Sequence, residues 1–372
     1  MTPAERPISS AAIGAMRLTA LAAGAVLLAQ RPLSAQGHDL SNPPAPITLR
    51  EGVDVPPADA RAQAVGAAAD AFLDTLDVDQ RVATLFPWGG NAQRANWPNF
   101  PDAAFRRAGV ARGNMTDDQR LALDALLSEV LSEDGLANAR HQMRANDILA
   151  EREPNGPNFG SDHYYDSFLG EPSTTAPFAA QFGGHHLAIN ATFVGADASF
   201  SLMLTGGEPL RIDDEGAAVT IAVGENTAAK ALLGSLDDAQ QAAAIRGEEA
   251  IDLLLGPGEY GTSVAPEGVR GADLSDAQRA LLLDVIAARL GYVNPDDSGA
   301  LMAEAREGLD DTRFGWWGPA EPLGAAYWRV TGPSLVIEYA PQDMDGDPTD
   351  HAHNMYCHPT NDYGAAWIAE PE

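Results

Sequence analysis

Apolar and polar positions change their spacing twice along this chain. From Ala58 to about Leu85 the apolar residues recur at helical intervals. Thr116-Asp117-Asp118-Gln119 is a capping-box spacing ahead of Leu121, Leu123, Leu126, Leu127 and Leu131, which predicts a helix start. Leu136 to Glu151 predicts a second helix, and residues 154–177 read as loop with extended pieces around Tyr164-Tyr165. Alternation then takes over. Leu187, Ile189, Ala191 and Phe193 fall on one side and Ala188, Asn190 and Thr192 on the other, so His185 to Phe193 predicts a half-buried strand. Ala217 to Val223 predicts another. Helical stretches follow near 225–246, 275–291 and 298–309, the second opened by Ser275-Asp276-Ala277-Gln278. The last sixty residues turn to β, at Phe314–Trp317, Ala326–Val330, Ser334–Tyr339 and Ala352–Cys357, with a hairpin at Gly332-Pro333.

These elements predict an α+β fold, a helical layer packed on an antiparallel sheet or partial barrel. A helical part (58–151) and a β-rich part (312–372) belong to one domain, 58–372. A short acidic turn, a glutamine and an apolar helix recur at Gln80, Gln119, Gln240 and Gln278. Repeated use of one helix-start chemistry explains this most simply, with an old duplication as the alternative.

Five of the eight histidines lie in two short segments, His185-His186 and His351-Ala352-His353 with His358 beyond. Imidazole is the commonest neutral metal ligand. On a strand, His351 and His353 share a face and form a two-nitrogen clamp. His185 and His186 would then diverge, which assigns His186 to the cleft and His185 to a buried supporting role. Glu338 interrupts the apolar run Ser334–Tyr339 and needs a partner there. Three histidines and one glutamate would suit Zn, Cu, Fe or Ni with one position left open. His186, His351 and His353 are the candidate metal ligands, and Glu338 is the fourth ligand or a general base. Asn190, Arg329, Gln342 and His185 are candidates to orient substrate or support the ligands. Asp343 to Asp350 reads as a solvated acidic turn. It lacks the glycine and glutamate positions of a helix-loop-helix calcium loop.

The formal net charge is −30, with Lys230 the only lysine. That excludes nucleic acid and anionic membranes as favourable partners and would draw cations into a cleft. Arg6 and Arg17 precede an apolar run from Leu18 to Leu28, and Leu33-Ser34-Ala35 offers a cleavage site. Residues 1–35 therefore read as a signal peptide, 36–57 as a Pro-rich arm, and the mature chain as periplasmic or extracellular with no membrane span. Cys357 is the only cysteine, so an internal disulfide is excluded and burial is expected.

The segments YYDSFLGEP (164–172), GGHHLAINATFVG (183–195), GWWG (315–318), YWRVTGPSLVIEY (327–339) and HAHNMYCHPTNDYG (351–364) occur together. In this combination the chain resembles the domain-of-unknown-function 3500 family over most of residues 60–367. The resemblance implies a shared fold and shared positions His185, His186, Glu338, His351 and His353, with no established activity. Phe178–Phe182 stands where the family is Trp-rich, and Gln342 sits beside an acidic insertion. Three functions are therefore expected as alternatives. The first is an exported metalloenzyme, hydrolytic or oxidative, acting on a small molecule. The second is an envelope metal carrier. The third is a metal-free carbohydrate or peptide binder with Trp88, Trp97, Trp316, Trp317 and Trp328 along a groove.

Overall fold

The structure, a computed structural model, describes residues 49–94, 96–256, 264–343 and 346–369. The expected signal peptide and the arm before residue 49 lie outside the described residues.

The first half runs α1 (Ala60–Thr75), α2 (Val78–Thr84), β1 (Leu85–Phe86), α3 (Asn91–Arg94), β2 (Val110–Ala111), α4 (Asp117–Val130), α5 (Glu133–Arg152), β3 (Tyr165–Leu169), β4 (Phe178–Gly184), β5 (Leu187–Val194), β6 (Asp197–Ser199) and β7 (Met203–Gly207). A hairpin, β8 (Arg211–Asp214) and β9 (Ala217–Thr220), leads onward. The second half runs α6 (Val223–Ser235), α7 (Asp238–Ala244), β10 (Ile245–Gly247), β11 (Val269–Arg270), α8 (Asp276–Leu290), α9 (Pro295–Glu307), β12 (Arg313–Trp317), β13 (Tyr327–Thr331), β14 (Val336–Pro341) and β15 (Ala352–Cys357).

The expected long helix over 58–85 is two helices. Asp77 caps the second and fixes the break, because its side chain accepts from Gln80 N–H. The large sheet has the order β1-β3-β4-β5-β7-β15-β14-β13-β12-β10. It is antiparallel except at its ends, where β1 joins β3 and β10 joins β12 in parallel. Helices cover one face, and Leu187, Ile189, Ala191 and Phe193 pack with them in the main core. Two loops cover the other face. There Trp97 and Leu255 close over Ala188, Leu204, Val336 and Met355. β5 is thus buried on both faces rather than half-buried.

The recurring glutamines mark an internal two-fold, not a repeated cap alone. Gln119 Nε2 donates to Thr75 O at 2.9 Å and to Gln80 Oε1 at 2.7 Å. Gln278 Nε2 donates to Ser235 O at 2.8 Å and to Gln240 Oε1 at 2.7 Å. Between the halves, Leu131 bridges Val293, with Ser132 N–H donating to Tyr292 O and Asn294 N–H to Val130 O. The sheet order reads alike from either end, and β7 and β15 pair at its middle. Gly109 and Gly268 also correspond. Both have positive φ, and a Cβ on either would lie about 2 Å from a backbone oxygen of β3 or β12. Because both glutamines serve the same partly buried junction, Gln119→Leu and Gln278→Leu should each cost roughly 1–3 kcal/mol. Urea unfolding of the two variants checks this.

Asp362 gives the fold a pH response. Burial pushes its carboxyl up to about 7, against hydrogen bonds from His358 N–H and the Ser201 hydroxyl. A folded value above the unfolded one of about 3.9 means that folding favours the protonated form. Stability from this group therefore falls as pH rises from about 4 to about 7. Asp362→Asn keeps an acceptor for His358 N–H. It should raise the thermal midpoint at pH 8 and leave it nearly unchanged at pH 4.

Candidate metal centre

The hairpin β4–β5 turns in two residues, and these are His185 and His186, since Gly184 pairs with Leu187. The segment expected to begin the strand is therefore its turn. His186 takes a positive φ of 63°, strained for a residue with a side chain. The two rings do not diverge as strand neighbours would. They stack with centroids 3.7 Å apart, and Phe159 stacks on His185 from the other side at 5.3 Å. His185 is buried, and its Nδ1 lies 3.3 Å from Asn146 Oδ1. The equivalent turn of the second half, between β13 and β14, is Pro333-Ser334, so a histidine pair stands at this turn in the first half only.

β15 begins beside this turn. Ala188 of β5 pairs with Leu204 of β7, and Gly206 of β7 pairs with His353. The strand that separates the two histidine segments carries glycine at the level of His353. A Cβ on Gly206 would lie 2.3 Å from Ala352 O, so only glycine lets β15 come this close. His186 Nε2 then reaches 3.0 Å from His351 Nε2, and the His186 and His353 rings are 5.1 Å apart. His186, His351 and His353 form one of two groups among the described residues that could hold a metal ion. The other is His185, His186 and Glu208. Glu208 Oε2 also lies 3.8 Å from His351 Nδ1.

The rim comes from the loops. Asn99 Nδ2 is 3.3 Å from His353 Nε2, and Asn99 O accepts from His186 N–H at 3.4 Å. Asp252 acts on His353 as a nearby negative charge and accepts from Gln342 Nε2 at 2.8 Å. Burial, reinforced by the neighbouring imidazoles, pushes His185 and His353 down to about 3. It pushes His186 well below the usual histidine range. Neutral rings with free lone pairs are what a metal ion requires.

Glu338 is not with the imidazoles, contrary to expectation. It shares their face of the sheet, since Ala340 pairs with His353 and Glu338 with Met355. Its carboxylate, however, is already committed. It accepts from Leu254 N–H at 3.1 Å, Leu255 N–H at 3.0 Å and the Tyr327 hydroxyl. The carboxylate beside the histidines is Glu208, which sits in a connecting segment without periodic pattern. Arg329 donates to Glu267 at 2.8 Å and lies over Trp317, away from the cluster. Asn190 accepts from Gln181 at 2.7 Å and donates to Leu202 O at 2.7 Å. Of the expected supporting residues, His185 and Gln342 adjoin the centre. Sequence reasoning missed Glu208, Asn99 and Asp252, because no local spacing links them to the histidines.

The third alternative placed five tryptophans along a groove, but among the described residues they lie in the interior. Trp88, Trp97, Trp316, Trp317 and Trp328 are all buried. Cys357 is buried, and burial pushes its thiol up. In the acidic turn, Met344 and Asp345 lie outside the described residues. Asp347 there accepts from Thr349 and pairs with Arg211 at 2.8 Å. No helix among the described residues is long and apolar enough to cross a membrane.

With this geometry in view, the comparisons place the chain. The family model described as "Protein of unknown function (DUF3500)" matches residues 58–365, and the chain belongs to that family. No curated protein and no solved structure matches it.

Proposed function

We propose that this chain is an exported protein that binds one transition metal ion through His186, His351 and His353, and that the ion serves catalysis. The observation that carries this reading is the approach of three imidazoles from two distant segments, two of them with Nε2 atoms 3.0 Å apart. Nitrogens about 2.0–2.1 Å from a tetrahedral zinc lie roughly 3.3 Å from each other, so the spacing needs only a small adjustment. Three neutral nitrogens select Zn, Cu, Ni or Fe over Ca or Mg. Three protein ligands leave a coordination position open, as catalytic zinc sites do, and a bound ion would acidify water there. Glu208 beside His351 supports that ring in the manner of outer carboxylates at metal sites. The net charge of −30 favours cation uptake. Export rests on the apolar run Leu18–Leu28 with its flanking arginines.

One observation favours a second reading, a carrier. Glu208 groups with His185 and His186 and could close the coordination sphere. Cobalt(II) titration of the chelator-treated chain decides between them. One equivalent should bind and give visible bands that shift on adding azide if a position is open. Bands indifferent to azide favour the carrier, and no saturable binding ends both.

A further inference from the structure

The two-fold relation matches α5 with α9. Ser132 and Asn294 cap them and make matching backbone bonds, Ser132 N–H to Tyr292 O and Asn294 N–H to Val130 O. Counted from these caps, Asn138, Gln142 and Asn146 correspond to Ala300, Glu304 and Gly308. The hairpin turns correspond as well, His185-His186 with Pro333-Ser334. One contact joins these matched positions in both halves. In the second half α9 ends at Glu307, and a Cβ on Gly308 would lie 3.0 Å from Pro333 Cδ. In the first half α5 runs on to Arg152, and Asn146 Oδ1 lies 3.3 Å from His185 Nδ1. The fold thus brings this helix position to this turn position twice. Of the two contacts, the polar one stands beside the metal centre.

Asn146 is 3% exposed, so its bond to the imidazole is sheltered from water. An amide oxygen only accepts, which puts the hydrogen on His185 Nδ1 and the lone pair on Nε2. The bond also sets the plane of the ring. That plane matters, because His185 lies between Phe159 and His186, with centroids 5.3 and 3.7 Å away. Tyr164 holds the same residue by its backbone, its hydroxyl donating to His185 O at 2.7 Å. His186 carries the strained φ of 63°, yet its Nε2 must meet His351 Nε2 at 3.0 Å. One helical turn before Asn146, Gln142 Oε1 accepts from Gly206 N–H at 3.1 Å, and Gly206 pairs with His353. One face of α5 therefore backs both histidine segments.

We propose that Asn146 is a positioning residue of the metal centre. It fixes the tautomer and plane of His185, and the stacked His185 ring holds His186 with Nε2 toward His351. Outer partners of metal ligands usually bond the ligand's own second nitrogen. Here the bond lies one ring further out and acts through the stack. As a role in metal binding this rests on the reading above. The fixed imidazole pair stands in the metal-free chain as well.

The test is long-range nitrogen-15 correlation NMR of the imidazoles at pH 8 in the chelator-treated full chain, with His185 assigned by its loss in His185→Phe. A proton on His185 Nδ1 is expected. It should stay there in Asn146→Asp, which retains an accepting oxygen, and give way to a tautomer mixture in Asn146→Leu. Cobalt(II) affinity should fall at least about tenfold in Asn146→Leu and recover in Asn146→Asp. A proton on His185 Nε2 in the unaltered chain overturns the proposal, and that result needs no variant to fold. So does full cobalt affinity in a folded Asn146→Leu chain. So does a loss of affinity with the Nδ1 proton unmoved, which is a merely structural effect. If the unaltered chain binds no cobalt, the metal reading fails by itself, and the tautomer still decides whether Asn146 fixes the pair.

Discussion

Replacing His353 with alanine should weaken metal binding by at least about a hundredfold. Losing an outer partner of a metal ligand already costs about 10- to 100-fold, and losing a ligand costs more. His353 is the half-buried member of the trio and enters from β15, whereas His186 enters from the β4–β5 turn. Without it, His186 and His351 remain 3.0 Å apart, a two-nitrogen site with little hold on an ion. Glu208→Gln should cost less, about 10- to 100-fold, because the amide keeps an acceptor near His351 but no charge. His141→Ala should change nothing, since His141 pairs with Asp214 elsewhere. Competition against a chromophoric chelator measures all three. Equal affinity in His353→Ala would remove that residue from the site.

Glu338→Ala should destabilise the fold by about 3–5 kcal/mol, the usual cost of removing one partner from a buried charged network. The carboxylate is fully buried and ties β14 to the loop over it. Burial pushes its carboxyl up, and Tyr327, the two loop N–H groups and Arg329 oppose that. Truncation leaves those donors unsatisfied inside the protein. Glu338→Gln retains an acceptor and should cost clearly less. Guanidinium unfolding provides the stabilities. Metal affinity of the folded Glu338→Gln chain then separates scaffold from ligand. Unchanged affinity is expected, and a large loss would return Glu338 to the metal.

The elements most legible in the sequence were those whose signals are local. The capping boxes at Thr116 and Ser275 start helices as read, with both side-chain and backbone bonds made. The strand Ala352–Cys357 and the hairpin at Gly332-Pro333 also stand where the alternation put them. β4 and β7 were missed. Phe178–Gly184 and Met203–Gly207 are rich in small residues and buried on both faces, so their apolar pattern does not alternate. The His185-His186 pair was legible as chemistry but not as geometry. A strand reading sends the two rings apart, whereas a two-residue turn lets them stack. Glu338 misled for a related reason. A buried charge does need a partner, but backbone N–H groups from a loop 83 residues away leave no mark in the sequence. The correspondence of the two halves showed only as four glutamines, whose matching hydrogen bonds are long-range and leave no other mark in the sequence.

Elemental analysis of the untagged chain, purified from its native compartment without chelator, tests the central claim most directly. The three converging imidazoles predict close to one equivalent of a single transition metal per chain, and none in the His186→Ala, His351→Ala, His353→Ala triple variant. A wild-type chain free of transition metal that also takes up none on titration would contradict it, as would a triple variant that keeps its metal.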